Sequence, residues 1–404
     1  MTTTPHEGHA PGSTALLILL SASLVSCTGT TAPDAPATPG LSAELARPSS
    51  SSTFSFRRSI AIDSGASPAT DLKDFPVLIS GTFDGTGHGE DRTADLRTAA
   101  NGGKLRSTSG YDVGFYTDKD CFTGKMSWET EQYDGVTGQA AYWVRVPTVY
   151  HDARTVFYLC YGNAAITTDQ SSAASVWDAG FLAVWHLADH GGLVLSNSKS
   201  ASFPLTNPGP VAAAPGKIGG GTNKFIDNTY WLGNDDVSIG ADGALTVSMW
   251  KKLLATDNTD NADGSENHIS FAIGPVHSVI TLWAPFFGTA FWYYGSGGPD
   301  VDFSGYYDRW VYITAVYDPA ASRLKALYLD GNLATSSTDG ATTEEAQTGF
   351  RIGQAVDGHG QDPSQFDEVR ISTAARSADW IKTEFANQND PASFYLIGPE
   401  KRLK

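Results

Sequence analysis

Val176-Trp-Asp-Ala-Gly-Phe-Leu-Ala-Val-Trp-His-Leu187 is the stretch on which the organisation of the chain turns. Trp177 and Asp178 close what precedes, and Ala179-Gly180 is a pair that breaks regular structure. Phe181 to Leu187 then runs apolar and β-prone, with bulk from Trp185 and His186. The stretch reads as the end of one β-domain, a one-turn connection and the first strand of a second. Upstream lies a strand-rich block of about a hundred residues, downstream one roughly twice as long.

Working outward, Phe54 to Ile62, Asp74 to Ile79, Tyr111 to Tyr116, Met126 to Glu131, Ala141 to Val146 and Thr155 to Cys160 read as strands separated by turn signals. Pro76 places the second at a sheet edge or a strand start, because proline has no N–H to give to a ladder. Downstream, Leu245 to Trp250, Trp310 to Asp318 and Phe366 to Ser372 are further strands. Leu327-Tyr-Leu-Asp-Gly-Asn332 carries the Asp-Gly signal of a hairpin. Arg376 to Phe385 predicts a short helix, with Ser377 as N-cap and Trp380, Ile381 and Phe385 at helical spacing.

Composition agrees with an all-β chain. The 404 residues are 41% hydrophobic and 11% aromatic, with 42 Gly and 20 Pro, enough for packed cores built of short strands and tight turns. A net charge of -17 excludes nucleic acid as a partner, since phosphate binding needs concentrated Lys and Arg.

The N-terminus sets the compartment. Residues 14–26 form an apolar run too short for a bilayer span and right for a signal-peptide core. It ends in Leu24-Val-Ser-Cys27, which resembles the bacterial lipobox; that resemblance makes Cys27 the lipid-attachment residue. The n-region departs from the pattern in having no Lys or Arg before Ser13, and an ordinary secretory signal is the alternative. Residues 28–53, rich in Thr, Ala, Pro and Ser, read as a disordered tether. Thr28 after Cys27 resembles signals sorted to the outer membrane.

Two further resemblances follow from motifs in order. Gly110-Tyr-Asp-Val-Gly-Phe-Tyr-Thr-Asp118, Trp128-Glu-Thr-Glu-Gln-Tyr-Asp134, Trp143-Val-Arg-Val-Pro147, Tyr161-Gly-Asn163 and Val176-Trp-Asp178 resemble the uncharacterised bacterial domain of unknown function 2341. The resemblance implies an exported envelope protein and no known activity. Trp185-His-Leu187, Pro215-Gly-Lys-Ile-Gly219, Trp250, Tyr328-Leu-Asp-Gly331 and Asp367-Glu-Val-Arg-Ile-Ser372 are similar to the laminin-G-like members of the concanavalin-A-like lectin/glucanase superfamily. That similarity implies a two-sheet jelly roll pairing its first and last strands, Val184 to Leu187 beside Val369 to Ile371. Asn197-Ser198 stands where these proteins usually carry Asp-Ser, which weakens a calcium or ligand role for that loop. The expected fold is thus two tandem antiparallel β-sandwiches, 54–176 and 177–399, after a signal peptide (1–27) and linker (28–53).

Candidate sites are few. Cys121 and Cys160, in an exported chain, predict a disulfide, with two buried free thiols as the alternative. No metal site is expected, because these cysteines lack a CxxC partner and a matching His pair. Glu129 and Glu131 alternate on one strand and are read as an exposed face. Asp367 and Glu368 are adjacent and should face opposite sides of a sheet. The Glu-x-Asp-x-(x)-Glu run of retaining glucanases is absent, as are HExxH and GxSxG, so no catalytic residue is expected. Asp257 to Gly264 suggests a calcium loop, but with Gly264 sixth it puts Thr259 first and Ser270 twelfth, so the motif is broken and a solvated hairpin loop is favoured.

Trp283 to Tyr294 is the densest aromatic run. One face should be core, while the other could stack sugar rings, making Trp283, Trp292 and Tyr294 the candidate ligand-binding residues. The expectation is a non-catalytic, lipid-anchored envelope protein binding carbohydrate or a glycosylated surface. The alternatives are an assembly component whose partner is an envelope protein and, more weakly, a degenerate glycosidase.

Overall fold

The computed structural model describes residues 53–403 other than 63–67, 87–93, 190–191, 228, 258–267, 275–279, 287–288, 295–297, 339–345 and 359. The lipobox with Cys27, the tether and nearly all of the 257–264 loop lie outside the described residues.

The first block contributes β1 (Phe56–Ile62), β2 (Leu72–Thr82), β3 (Val113–Tyr116), β4 (Trp128–Tyr133), β5 (Gln139–Val149) and β6 (Thr155–Tyr161), followed by the short α1 (Ala173–Val176). β2-β5-β4 form one antiparallel sheet, with β2 and its Pro76 at an edge. The other sheet has β1-β6-β3 at its heart.

The second block opens with β7 (Phe181–Trp185), β8 (Leu187–Asp189), β9 (Gly192–Val194), β10 (Ala213–Pro215) and β11 (Gly220–Thr222). β12 (Leu232–Ile239), β13 (Leu245–Lys252), β14 (Ile269–Ile273), β15 (Ile280–Phe286), β16 (Thr289–Tyr294) and β17 (Asp300–Asp302) follow. β18 (Trp310–Asp318), β19 (Leu324–Leu329), β20 (Asn332–Thr338), β21 (Gln347–Ile352) and β22 (Gln365–Ser372) complete it. Two six-stranded sheets result, β12-β21-β14-β15-β16-β17 and β20-β19-β18-β13-β22-β7, with β10-β11-β8-β9 as a small third. First and last strands pair, Val369 with Trp185 and Ile371 with Ala183, one residue off the span the superfamily resemblance implied.

The chain then turns back. α2 (Ala378–Asn389) starts at Ser377, whose side chain accepts from the Trp380 N–H as an N-cap should. After α3 (Pro391–Phe394), β23 (Tyr395–Ile397) and β24 (Lys401–Arg402) both pair with β1. The division at 176 put Tyr395–Ile397 with the second block; its hydrogen bonds are to the first.

Burial explains why the blocks are fused. In β5, Tyr142 packs edge-on against Phe115 inside the first sandwich, while its neighbour Trp143 points out yet is fully buried. A strand covered on both faces reads as a continuous apolar run, as Ala140 to Val144 does. What covers Trp143 is Trp177, His186 and Arg370, and Phe181, Val184, Ile218 and Trp380 of the second block join one continuous core with β2, β4 and β5. α2 acts as the wedge. Its Asn387 side chain accepts from Leu78 N at 2.6 Å and donates to Leu78 O at 2.9 Å, and its Gln388 accepts from Trp250 Nε1 at 2.7 Å.

Candidate functional site

Cys121 and Cys160 form a disulfide, linking the loop after β3 to the end of β6. Asn197 is structural: its Oδ1 accepts from Val184 N and Lys199 N, and its Nδ2 donates to Ser202 O.

The aromatic run does not form the expected binding row. It folds into the β15–β16 hairpin, and both Trp292 and Tyr294 point between the sheets. Trp292 is 0% exposed, with Nε1 donating to Val316 O, and the Tyr294 hydroxyl donates to Gly243 O at 3.0 Å. Core demand for large apolar volume took the face that a ligand would have needed. Trp283 alone of the three sits half-buried on the outer side, against Ile269, Ala272 and Ala355.

A recess that sequence reasoning missed lies at the rim of the second sandwich, where the edge strands β17 and β20 end their two sheets. It measures about 390 Å³ and is bounded by Tyr306, Arg309, Leu329, Asp330, Asn332 and Leu333. Asp330-Gly331 is the tight turn read from the sequence, with φ of 49° and 73°; both residues are left-handed, as a two-residue hairpin requires. The turn aims Asp330 so that Oδ1 accepts from Tyr312 N and Oδ2 pairs with Arg309 at 2.8 Å. The Arg309 guanidinium also lies over the Tyr306 ring, 5.0 Å from its centroid. Leu333 is 55% exposed beside them. The result is an ion-paired donor and acceptor, an amide from Asn332 and an apolar side chain on one wall. Such a wall can hold vicinal hydroxyls on one side and a C–H face on the other. A second recess, about 380 Å³, is lined by Gly110, Tyr111, Trp128, Thr130 and Tyr133, from the motifs quoted for the first block.

The largest departure from expectation is at the junction of the two blocks. Glu129 and Glu131 are not an exposed face; they share one side of β4, as alternation sets them, but both are buried, 8% and 4% exposed, because Trp177, Trp143 and His186 cover that side while Thr130 is exposed. Asp367 and Glu368 do not split between open faces either. Both are fully buried beside a register shift in β22, with Glu368 at φ 51°. His186, just after β7, lies among them: Nδ1 is 2.6 Å from Glu368 Oε1 and 3.5 Å from Glu131 Oε2, and Nε2 is 3.3 Å from Glu129 Oε2. Glu131 Oε2 accepts from Trp143 Nε1 at 2.7 Å, and Glu129 from Trp177 Nε1 at 3.1 Å. Arg370, sandwiched over Trp143 and Trp177, donates to Glu368 and Glu384. The Pro215–Gly219 loop closes the cluster: Asp367 Oδ2 accepts from Lys217 N and Ile218 N, and a Cβ on Gly219 would meet Glu131 Oε1 at 2.6 Å.

Electrostatics follow from this crowding. Burial opposes charging of His186, but the carboxylates of Glu368, Glu129 and Glu131 outweigh it and hold the imidazole well above its usual value. Burial, then the charge of Glu368, pushes the Glu131 carboxyl up to about 8, and the same causes raise Asp367 well above the carboxylate range. Burial works against Glu368 and Glu129 too; His186 with Arg370 for the first, and His186 for the second, bring them below their ordinary values. Spacing could not have revealed the cluster, since the segments carrying Glu129 and Glu131, His186, and Asp367 to Arg370 are separated by tens to hundreds of residues.

Comparison with known proteins places both blocks. Residues 227–382 match the family described as the concanavalin A-like lectin/glucanases superfamily, and residues 109–181 match the domain of unknown function DUF2341. The fold is therefore that of the lectin-like β-sandwich class. The chain has no match among curated proteins. Among solved structures it is similar to the binding domain of Paraclostridial Mosquitocidal Protein 1, at 12% identity and TM-score 0.41, over 51% of this chain and 52% of that one. It is similar to the botulinum neurotoxin type G receptor binding domain at 11% identity and TM-score 0.39, over 52% of each chain. The chain spans about half the length of these two. Domain 4 of AbnA, a GH43 extracellular arabinanase from Geobacillus stearothermophilus solved with arabinotriose, is covered fully, at 20% identity, TM-score 0.38 and 52% of this chain. These likenesses concern fold alone.

Proposed function

We propose that the protein is an exported, non-catalytic envelope module, anchored through a lipid on Cys27, that binds carbohydrate at the rim recess of its second sandwich. The observation that carries this is the Arg309–Asp330 pair, held fixed by Tyr306 and the Asp330-Gly331 turn, within the segment that matches a lectin/glucanase superfamily. A pre-formed polar pair beside an apolar wall loses little entropy when it binds a sugar. Among the described residues no helix is long and apolar enough to cross a membrane, and the tether from Cys27 supplies attachment in this reading.

The test is a glycan array with the soluble chain from residue 54, with and without calcium, beside Arg309→Ala and Trp283→Ala. Binding to one glycan class, reduced tenfold or more in Arg309→Ala and retained in Trp283→Ala, supports the rim site. Loss only in Trp283→Ala moves the site to the outer sheet face. Silence across the array with folded protein favours the assembly role. For the anchor, labelling with a fatty-acid analogue should mark the full chain and not its Cys27→Ser variant; equal labelling, or none in either, removes it.

A further inference from the structure

We propose that Glu131, His186 and Glu368 form a binding site for a divalent transition ion of the zinc type, which fastens the two sandwiches together. This departs from the sequence reading, which expected no metal. One oxygen or nitrogen from each side chain lies within 4.8 Å of the others, and all three residues are buried. The donors come from different parts of the fold, β4 on one side and the end of β7 with β22 on the other. An ion there would bridge the blocks as a structural metal does.

Three independent observations support the site. The first is charge. Five carboxyl groups, from Glu129, Glu131, Asp367, Glu368 and Glu384, share this region with two buried cationic side chains, Arg370 and His186, and the half-buried Lys217 near Asp367. Buried carboxylates without a counter-charge are costly, so a bound cation would take the place of the protons that otherwise relieve the surplus. The second is a pair of unmet polar atoms: His186 Nε2 is buried with no hydrogen-bond partner, and so is Glu131 Oε1, on the Gly219 side of a carboxyl whose other oxygen lies 3.5 Å from His186 Nδ1. The third is the support behind each donor. Glu131 is held by the Trp143 indole, Glu368 is held through its other oxygen by Arg370 at 2.5 Å, and Glu129 Oε2 lies 3.3 Å from His186 Nε2. Carboxylates and donors placed behind metal ligands, fixing tautomer and orientation, are the usual mark of a metal centre. An imidazole with carboxylates suits zinc and its neighbours, whereas calcium takes oxygen alone.

The full chain, refolded with its disulfide intact in ZnCl2 and dialysed, should retain about one zinc per chain by elemental analysis. Chelator should lower its melting temperature by about 5 °C or more, and zinc should restore it. Refolding with CoCl2 should give the visible absorption of cobalt in an N/O site. Glu131→Gln, nearly isosteric, should lose the metal, while Glu384→Gln, in the same cluster but outside the donor set, should keep it. Wild-type protein that retains no zinc and shows no cobalt spectrum overturns the site, whatever the variants do. Full zinc in Glu131→Gln overturns the assignment of its donors.

Discussion

Asp178 shows how much one residue of the opening stretch carries. Its two oxygens accept from Arg376 at 2.7 Å each, and Oδ1 also accepts from Gly180 N. Gly180 leaves room for this pair, since a Cβ there would press on Arg376 Nη2 at 2.9 Å and Asp178 Oδ1 at 3.0 Å. Arg376 in turn lies over Phe181 and Trp380. Burial raises the Asp178 carboxyl, but Arg376 overrides it and leaves the group below its ordinary value. A carboxyl depressed in the folded state adds stability above its unfolded value, about 3.9, and that stability is lost as pH falls through the lower folded value. Asp178→Asn should therefore cost about 1–3 kcal/mol at pH 7, and its deficit against wild type should shrink below about pH 4. Chemical denaturation from pH 2 to 7 reads this directly, and a deficit independent of pH would refute it. Trp292 teaches the converse. Its replacement by Ala would hollow the second core and so says nothing about ligand contact.

At the scale of elements, α2 is one of the pieces that join the blocks, bonded to β2 through Asn387 and to β13 through Gln388. The amide of Asn387 satisfies both backbone groups of Leu78 where β2 meets the helix, and all of these atoms are buried. Asn387→Ala leaves a buried N–H and C=O unpaired, which should cost about 2–5 kcal/mol. Asn387→Asp keeps the acceptor for Leu78 N but sets an oxygen against Leu78 O, so it should be no less harmful. Urea denaturation checks both, and a loss below about 0.5 kcal/mol in Asn387→Ala would show that water replaces the side chain. Helix position was readable from Ser377 and the Trp380–Ile381–Phe385 spacing. Its partner was not, because Asn387 reads as an ordinary polar residue until β2 lies beside it.

At the scale of the molecule, the second sandwich keeps a core of its own between its sheets but lends Phe181, Val184, Ile218 and Trp380 to the core of the first, and β23 and β24 carry the end of the chain back to β1. Tandem domains joined by a flexible link melt separately, whereas blocks with a common buried interface unfold together. Calorimetry of the soluble chain should give a single transition whose calorimetric and van't Hoff enthalpies agree; two resolved transitions would contradict the shared core. Reduction of Cys121–Cys160 should lower that one transition as a whole, by about 2–5 kcal/mol.

Alternation of side chains, turn residues and caps were enough to fix what is local: the β1 to β6 series, the Asp330-Gly331 hairpin and the α2 start; the pairing of the first and last strands of the second block came from the superfamily resemblance. The local features follow from backbone geometry that each segment carries within itself. Which face of a strand meets another element is not local. Trp292 and Tyr294 could face a ligand or a core, and Glu129 and Glu131 could face water or a partner sheet, with the same sequence. Only the packing of the second block on β4 and β5 decided those cases. It brought Glu131, His186 and Glu368 together from three distant segments, because burying both faces of one sheet left no outward side for their charges to use.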